Sequence, residues 1–294
     1  MIVRCRRTIR ACFRIAALMF CTGTFAWAQP VGTLTLADGK TALIRGVTVY
    51  AVSEGIKVRE GDMLHTDAKG QAQIEFQGGT ILNLGPGTRA LLLRLPQGRR
   101  EAEVAVLSGW VKFAQKKSGT GASLRLHAPT AQLATEDATA VLHAETGVAQ
   151  VFVESGAAKL TELGKKTAPG STRAVKGGEF IVRTGDQPAV TSPRPTAQFI
   201  GSMPRHFKDN LPIRIGRFKD KQSEPKRDHD VAYAEVEAWL KAGPPVRRNF
   251  VKRFQARARE GDFRKGLIDN LREHPEWDPV LFPEKYLPKP EKSQ

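Results

Sequence analysis

From Gly70 to Gln77 apolar and polar residues alternate strictly, with Ala72, Ile74 and Phe76 set against Gln71, Gln73, Glu75 and Gln77. This is the period of a strand with one face buried and the other facing water. Gly78-Gly79 supplies the backbone freedom of a tight hairpin, and Thr80 to Leu84 alternates again with Leu82 and Leu84 on one face. Upstream, Val31 to Ala37 and Lys40 to Val52 read as opening strands separated by the turn signal Asp38-Gly39. Downstream, Glu101 to Leu107 turns Ala102, Val104 and Val106 inward, and the pattern resumes beyond Gly109 through Phe113. Lys116 to Ser123 reads as an exposed connection. Further strands are expected at Leu124 to His127, near Thr139 to His143, and at Val148 to Val153, Ala157 to Leu163, Ser171 to Val175 and Glu179 to Arg183. The segments Val106 to Phe113 and Val153 to Leu160 share an apolar-x-Ser-Gly-x-apolar-Lys-apolar pattern, an internal echo compatible with stacked hairpins.

The period then changes. Thr184 to His229 is proline-rich and reads as linker or extended wrapping, with Phe199, Ile200, Met203, Phe207, Leu211 and Ile213 available to pack on the β body. Tyr233, Val236, Trp239 and Leu240 share one helical face, with Asp228 or Asp230 expected as cap and Gly243-Pro244-Pro245 as stop. Val246, Phe250, Phe254 and Ala258 recur every four residues and predict a second helix, and Phe263, Leu267 and Leu271 a third. The expected organisation is a leader (1–28), a β domain (29–187), an arm (188–229), a helical region (230–274) and an extended tail (275–294) anchored by Trp277, Leu281, Phe282 and Tyr286.

The order Gly61-Asp62, Leu64, Thr66, a polar turn, the alternating strand, Gly78-Gly79-Thr80, Leu82-x-Leu84, Gly85-Pro86-Gly87-Thr88 and Leu91 to Leu93 resembles the FecR domain. That module is a periplasmic part of iron-transport signalling regulators. The resemblance runs from about Val47 to Leu95 and persists more faintly to about Arg183. Where the family has Arg-Gly-Thr after the segment near Pro129, this chain has Thr135-Glu136-Asp137-Ala138. The resemblance implies a mainly β, FecR-like antiparallel domain of stacked hairpins, sandwich- or solenoid-like, followed by a small C-terminal α-helical region. It also implies binding or sensing through a protein partner, without catalysis or cofactor.

Met1 to Ala28 has a basic start, an apolar run from Ile15 to Phe20 and an Ala26-Trp27-Ala28 cleavage signal, so a secretory leader and a periplasmic location are expected. The alternative, a retained membrane anchor, requires about 20 apolar residues where Ile15 to Ala28 offers 14. Cys5, Cys12 and Cys21 all lie in the leader, so its removal leaves no thiol for a disulfide, metal site or nucleophile. Of the formal +16, +11 remains after the five leader arginines are removed. Outside the cytoplasm that balance favours acidic proteins, wall polymers or lipid headgroups over nucleic acid. FecR regulators begin with a cytoplasmic segment that contacts a sigma factor, whereas this sequence starts with an export signal, so direct contact with transcription is not expected.

No H-E-x-x-H, G-x-S-x-G or G-x-x-x-x-G-K pattern occurs. His65, His127, His143, His206, His229 and His274 show no metal-ligand spacing. Glu136-Asp137, Asp62 and Asp67 read as turn residues, and Trp110 and Trp239 as core. The sharper signal lies between Arg247 and Arg272, where nine Lys or Arg face three acids. Arg247, Arg248, Lys252, Arg253, Arg257, Arg264 and Lys265 are the candidate surface for an anion or a partner, against the plain alternative of a solvated helix face. Two classes of function follow: a non-enzymatic module acting through a periplasmic or envelope protein, or a structural envelope protein held to anionic polymer or lipid by these helices. Oligomeric state is left open.

Overall fold

The computed structural model describes residues 32–97, 100–115, 123–164 and 168–287. The leader therefore lies outside the described residues, as do most of the Lys116 to Ser123 connection and the end of the tail. Among the described residues fifteen strands form one continuous sheet. They are β1 (Gly32–Asp38), β2 (Thr41–Arg45), β3 (Thr48–Ala51), β4 (Met63–Thr66), β5 (Gln71–Phe76), β6 (Ile81–Leu84), β7 (Arg89–Arg94), β8 (Ala102–Gln115), β9 (Leu124–His127), β10 (Ala131–Glu145), β11 (Val148–Leu163), β12 (Pro169–Lys176), β13 (Phe180–Thr184), β14 (Val190–Ser192) and β15 (Lys226–Asp230). The main path runs β14-β13-β11-β10-β9-β8-β7-β4-β2-β3-β15, with β1, β5, β6 and β12 branching from it. The chain is thus mainly β, with most of its helices in the C-terminal region. The pairings are antiparallel except β8 with β9, which run parallel.

The alternating pattern builds the principal core. Ala72, Ile74 and Phe76 of β5, Leu82 and Leu84 of β6 and Val111 and Phe113 of β8 bury together with Leu34, Val104, Leu142 and Val151. A second core lies on the opposite side of the sheet, where Ile44, Val49, Met63, Leu91 and Ala105 meet Val236, Trp239, Phe254, Phe263, Leu267 and Trp277 of the helical region. A third holds the arm, with Phe199, Met203 and Phe207 packed on Trp110, Val141 and Phe180.

Several elements differ from the sequence-based expectation. The expected strand from Lys40 to Val52 is a hairpin, β2 and β3, turning at Gly46-Val47. Thr135 to Ala138 is not a turn: it lies inside β10, where the register shifts between Thr135 and Asp137 and accommodates an extra residue as a bulge. Val148 to Val153 and Ala157 to Leu163 belong to one bent strand, β11. The stretch from 188 to 229 contributes β14 and β15 to the sheet, a short helix α1 (Ala197–Ser202), and two 3-10 turns at Arg205–Phe207 and Ile215–Phe218.

Helix α2 (Tyr233–Leu240) starts at Ala232, whose N–H donates to the Glu235 carboxylate at 2.8 Å. Asp228 and Asp230, expected as caps, belong instead to β15. The second expected helix is broken into α3 (Pro244–Arg247), α4 (Phe250–Phe254) and a 3-10 turn (Arg257–Arg259). Even so, Phe250, Phe254 and Ala258 all point inward, because the breaks preserve the spacing of the stripe. The third is α5 (Gly261–Asp269), followed by α6 (Asp278–Leu281) in the tail. Trp277 and Leu281 are buried there, whereas Tyr286 is exposed.

Candidate functional site

The basic set does not form one open surface. Arg253 donates through its guanidinium to the carbonyls of Gly46, Gly61 and Ile44 at 2.8, 2.6 and 3.0 Å. Arg247 binds the carbonyls of Leu240 and Glu273 and pairs with Glu276. Arg257 donates to the Val231 carbonyl and pairs with Glu260. Arg264 donates to the Leu281 carbonyl and lies over the Phe282 ring. Three of these guanidiniums tie backbone carbonyls at the helical region together, and Arg253 staples that region to Ile44, Gly46 and Gly61 of the β body, a use that suits the planar multi-donor fork of arginine. Lys265 is exposed but paired with Asp269. Arg248 and Lys252 are exposed.

Exchange of Arg253 by Gln is accordingly expected to cost about 2 to 4 kcal/mol, since it strands three carbonyls. Replacing Arg248 and Lys252 together by Gln should change stability by less than about 0.5 kcal/mol. Thermal unfolding of the two variants checks this; equal melting temperatures would remove the staple.

The alternation of β5 led to the expectation that Gln73 and Glu75 face water. Both are buried, at 0% and 2% exposure, because the arm crosses that face of the sheet. Register places Gln73 beside Asn83, and Asn83 beside Lys112, in a row across β5, β6 and β8. Lys112 is itself 1% exposed. Its Nζ binds Glu154 at 2.9 Å and the carbonyls of Phe207 and Asp209 at 2.6 and 2.9 Å. Gln73 donates to the Pro212 carbonyl at 2.7 Å. The Glu75 carboxylate accepts the N–H groups of Arg214 and Ile215 at 2.8 and 3.0 Å, together with Thr35 Oγ1 at 2.7 Å. A buried ammonium thus takes carbonyls and a buried carboxylate takes amides of the same extended segment, so each charge is compensated by charge-assisted hydrogen bonds.

This constellation escaped sequence reasoning. Its one local sign is Lys112, a lone charge between Trp110-Val111 and Phe113. Beside it a cleft of about 1160 Å³ opens between the β5–β6 hairpin and the arm, lined by Glu75, Thr80, Ile213, Ile215 and Phe218 among others.

Asp62 is more than a turn former. It is 1% exposed, accepts the Arg59 N–H at 2.8 Å and pairs with Arg45 at 2.7 Å. Trp110 and Trp239 are core residues. The Trp239 indole N–H donates to Nε2 of His65 at 2.8 Å. Burial, and secondarily the charge of Arg89, pushes the His65 imidazole down to about 4. The unfolded chain therefore takes up a proton below 6.5 that the folded chain refuses. Stability from this residue is complete above pH 6.5, declines through the window and is lost below about pH 4. The contribution is about 3 kcal/mol at 1.36 kcal/mol per pH unit. Urea midpoints for parent and His65→Gln, measured at pH 7 and pH 4.5, should converge as pH falls; parallel curves would rule the linkage out.

Among the described residues no cluster of His, Cys, Asp or Glu could hold a metal ion, and no helix is long and apolar enough to cross a membrane.

Residues 62–159 match the model of the family described as FecR protein, from Asp62 just before β4 into the second half of β11. The chain therefore carries a FecR domain, and the match extends across the Thr135 to Ala138 departure. No curated protein matches the chain. Two crystal structures of a candidate anti-sigma factor from Parabacteroides distasonis, at 1.65 and 2.50 Å resolution, are similar at 15% and 14% identity. Each has a TM-score of 0.39 and covers 47% of this chain and 62% of that one. The chain thus spans less than two thirds of that protein, and the likeness is weak.

Proposed function

We propose that this chain is a non-enzymatic binding and sensing module of the periplasm that acts through a protein partner. The observation that carries the reading is the FecR match over residues 62–159. Within it, the buried charged side chains Asp62, Glu75 and Lys112 are each engaged with backbone groups, Asp62 with Arg45 and Lys112 with Glu154 besides, and of the three Glu75 alone lines the cleft beside the arm. That disposition suits a scaffold that presents surfaces rather than one that carries out bond chemistry. A second reading, an envelope protein held to anionic polymer or lipid, rests on exposed Arg248 and Lys252 and on Lys265, since four of the seven candidate basic residues are turned to backbone carbonyls.

Crosslinking in the periplasm followed by mass spectrometry tests the two. A single protein species joined to the FecR domain is the expected result. Recovery solely in a polymer- or lipid-bound fraction that salt releases would overturn the proposal in favour of the second reading.

A further inference from the structure

We propose that the buried polar face of β5, β6 and β8 is a peptide-docking site, occupied here by the chain's own segment 207–215 and entered by an extended segment of the protein partner when that strap is displaced. The proposal rests on the partner reading above for its occupant, and on the geometry for the site.

The strap is read through its backbone. Its contacts to the sheet are the carbonyls of residues 207, 209 and 212 on Lys112 and Gln73, and the amides of residues 214 and 215 on Glu75. Between the anchors Phe207 and Phe218 no side chain of the strap is buried, and Ile213 is 77% exposed. The site thus recognises an extended chain of almost any sequence provided an aromatic residue enters beside Trp110, as Phe207 does. Between those two anchors the segment is held by polar contacts along its backbone with few buried apolar atoms, and such a stretch belongs to the part of a structure that opens locally before the rest. The site is also incompletely met by the strap: Asn83 Oδ1 is buried with no hydrogen-bond partner among the described residues. The cleft beside Ile213 gives an incoming side chain room that the strap does not fill.

Hydrogen exchange on the intact chain gives the first readout. If the strap opens on its own, the amides of Arg214 and Ile215 exchange roughly tenfold or more faster than those of Ile74 and Phe76 beneath them. Exchange as slow as the β5 amides overturns the proposal, because the strap would then open only with the fold.

The second readout uses a full-length variant in which residues 207–217 are replaced by a Gly/Ser stretch of equal length, so that Phe207 no longer fills the place beside Trp110, with a labelled synthetic peptide of residues 205–218 as probe. Saturable binding is expected, weakened roughly tenfold or more by Lys112→Met and by Glu75→Gln, as loss of a charge-assisted hydrogen bond requires. Absence of binding by a variant that still unfolds cooperatively overturns the site. A dimer of the parent chain that grows with concentration and is lost with the strap overturns the partner as occupant in favour of a second copy. Peptide binding together with a crosslinking experiment that finds no protein leaves the site standing and removes the functional reading, so the two failures are distinct.

Discussion

Gly156→Ala is expected to destabilise the protein by about 2 to 5 kcal/mol, combining the cost of a left-handed backbone for an L-residue with that of forcing an atom into a filled space. Gly156 has φ +77°, and a Cβ there would collide with the carbonyl oxygen of Asp137 on the neighbouring strand. The position is a corner. Before it β11 pairs with β13, and after it with β12, so the strand changes partner there. Gly109 does the same for β8, which leaves β7 and joins β6, with φ +92° and Thr88 standing where a Cβ would have to go. The Ser-Gly echo in the sequence thus marks two equivalent bends. Ser155, next to the corner and exposed, serves as control: Ser155→Ala should move the urea midpoint very little. If Gly156→Ala unfolds at the same denaturant concentration as the parent, the bend does not depend on glycine.

Trp239→Ala should cost about 3 to 5 kcal/mol, the usual price of emptying a fully buried aromatic site. Trp239 is 0% exposed and stands where the helical region meets the sheet, among Ile44, Met63 and Leu91 on one side and Phe254 and Leu267 on the other. Its indole N–H also satisfies His65 on β4. Because that core is shared, helices and sheet should unfold together, and the variant should shift far-ultraviolet and tryptophan-fluorescence transitions by the same amount. A fluorescence shift without a change in the helix signal would show that the helical region holds itself together. Trp239→Phe separates packing from the hydrogen bond: it should retain most of the burial and lose about 1 kcal/mol for the unmet imidazole nitrogen.

Much of this architecture is legible in the chain because it is local. The Gly78-Gly79 hairpin, the inward faces of β5 and β6 and the stripe of Phe250, Phe254 and Ala258 each need only their own neighbours to be read. The bulge in β10 hid a strand because Thr135 to Asp137 breaks the alternation that marks one. The polar face was invisible for a different reason. Gln73 and Glu75 look solvated until Pro212 to Ile215 covers them, and the cover comes 139 residues later in the chain. For the arginines, composition reveals how many charges a helix carries. Whether a guanidinium reaches water or a carbonyl depends on which backbone the fold brings near, as Gly46 and Gly61 are brought to Arg253.

The return of the chain to β3 bears on solubility. A sheet of this width would ordinarily end in unpaired backbone groups, an invitation to further strands from other molecules. Here one end of the main path is closed by β15, whose five residues Lys226-Arg227-Asp228-His229-Asp230 are all exposed and all carry or can acquire charge. The register slips between Arg227 and His229, which spoils the regular spacing a newcomer would need. Growth by edge-to-edge aggregation is thereby opposed at that end by charge and by geometry together.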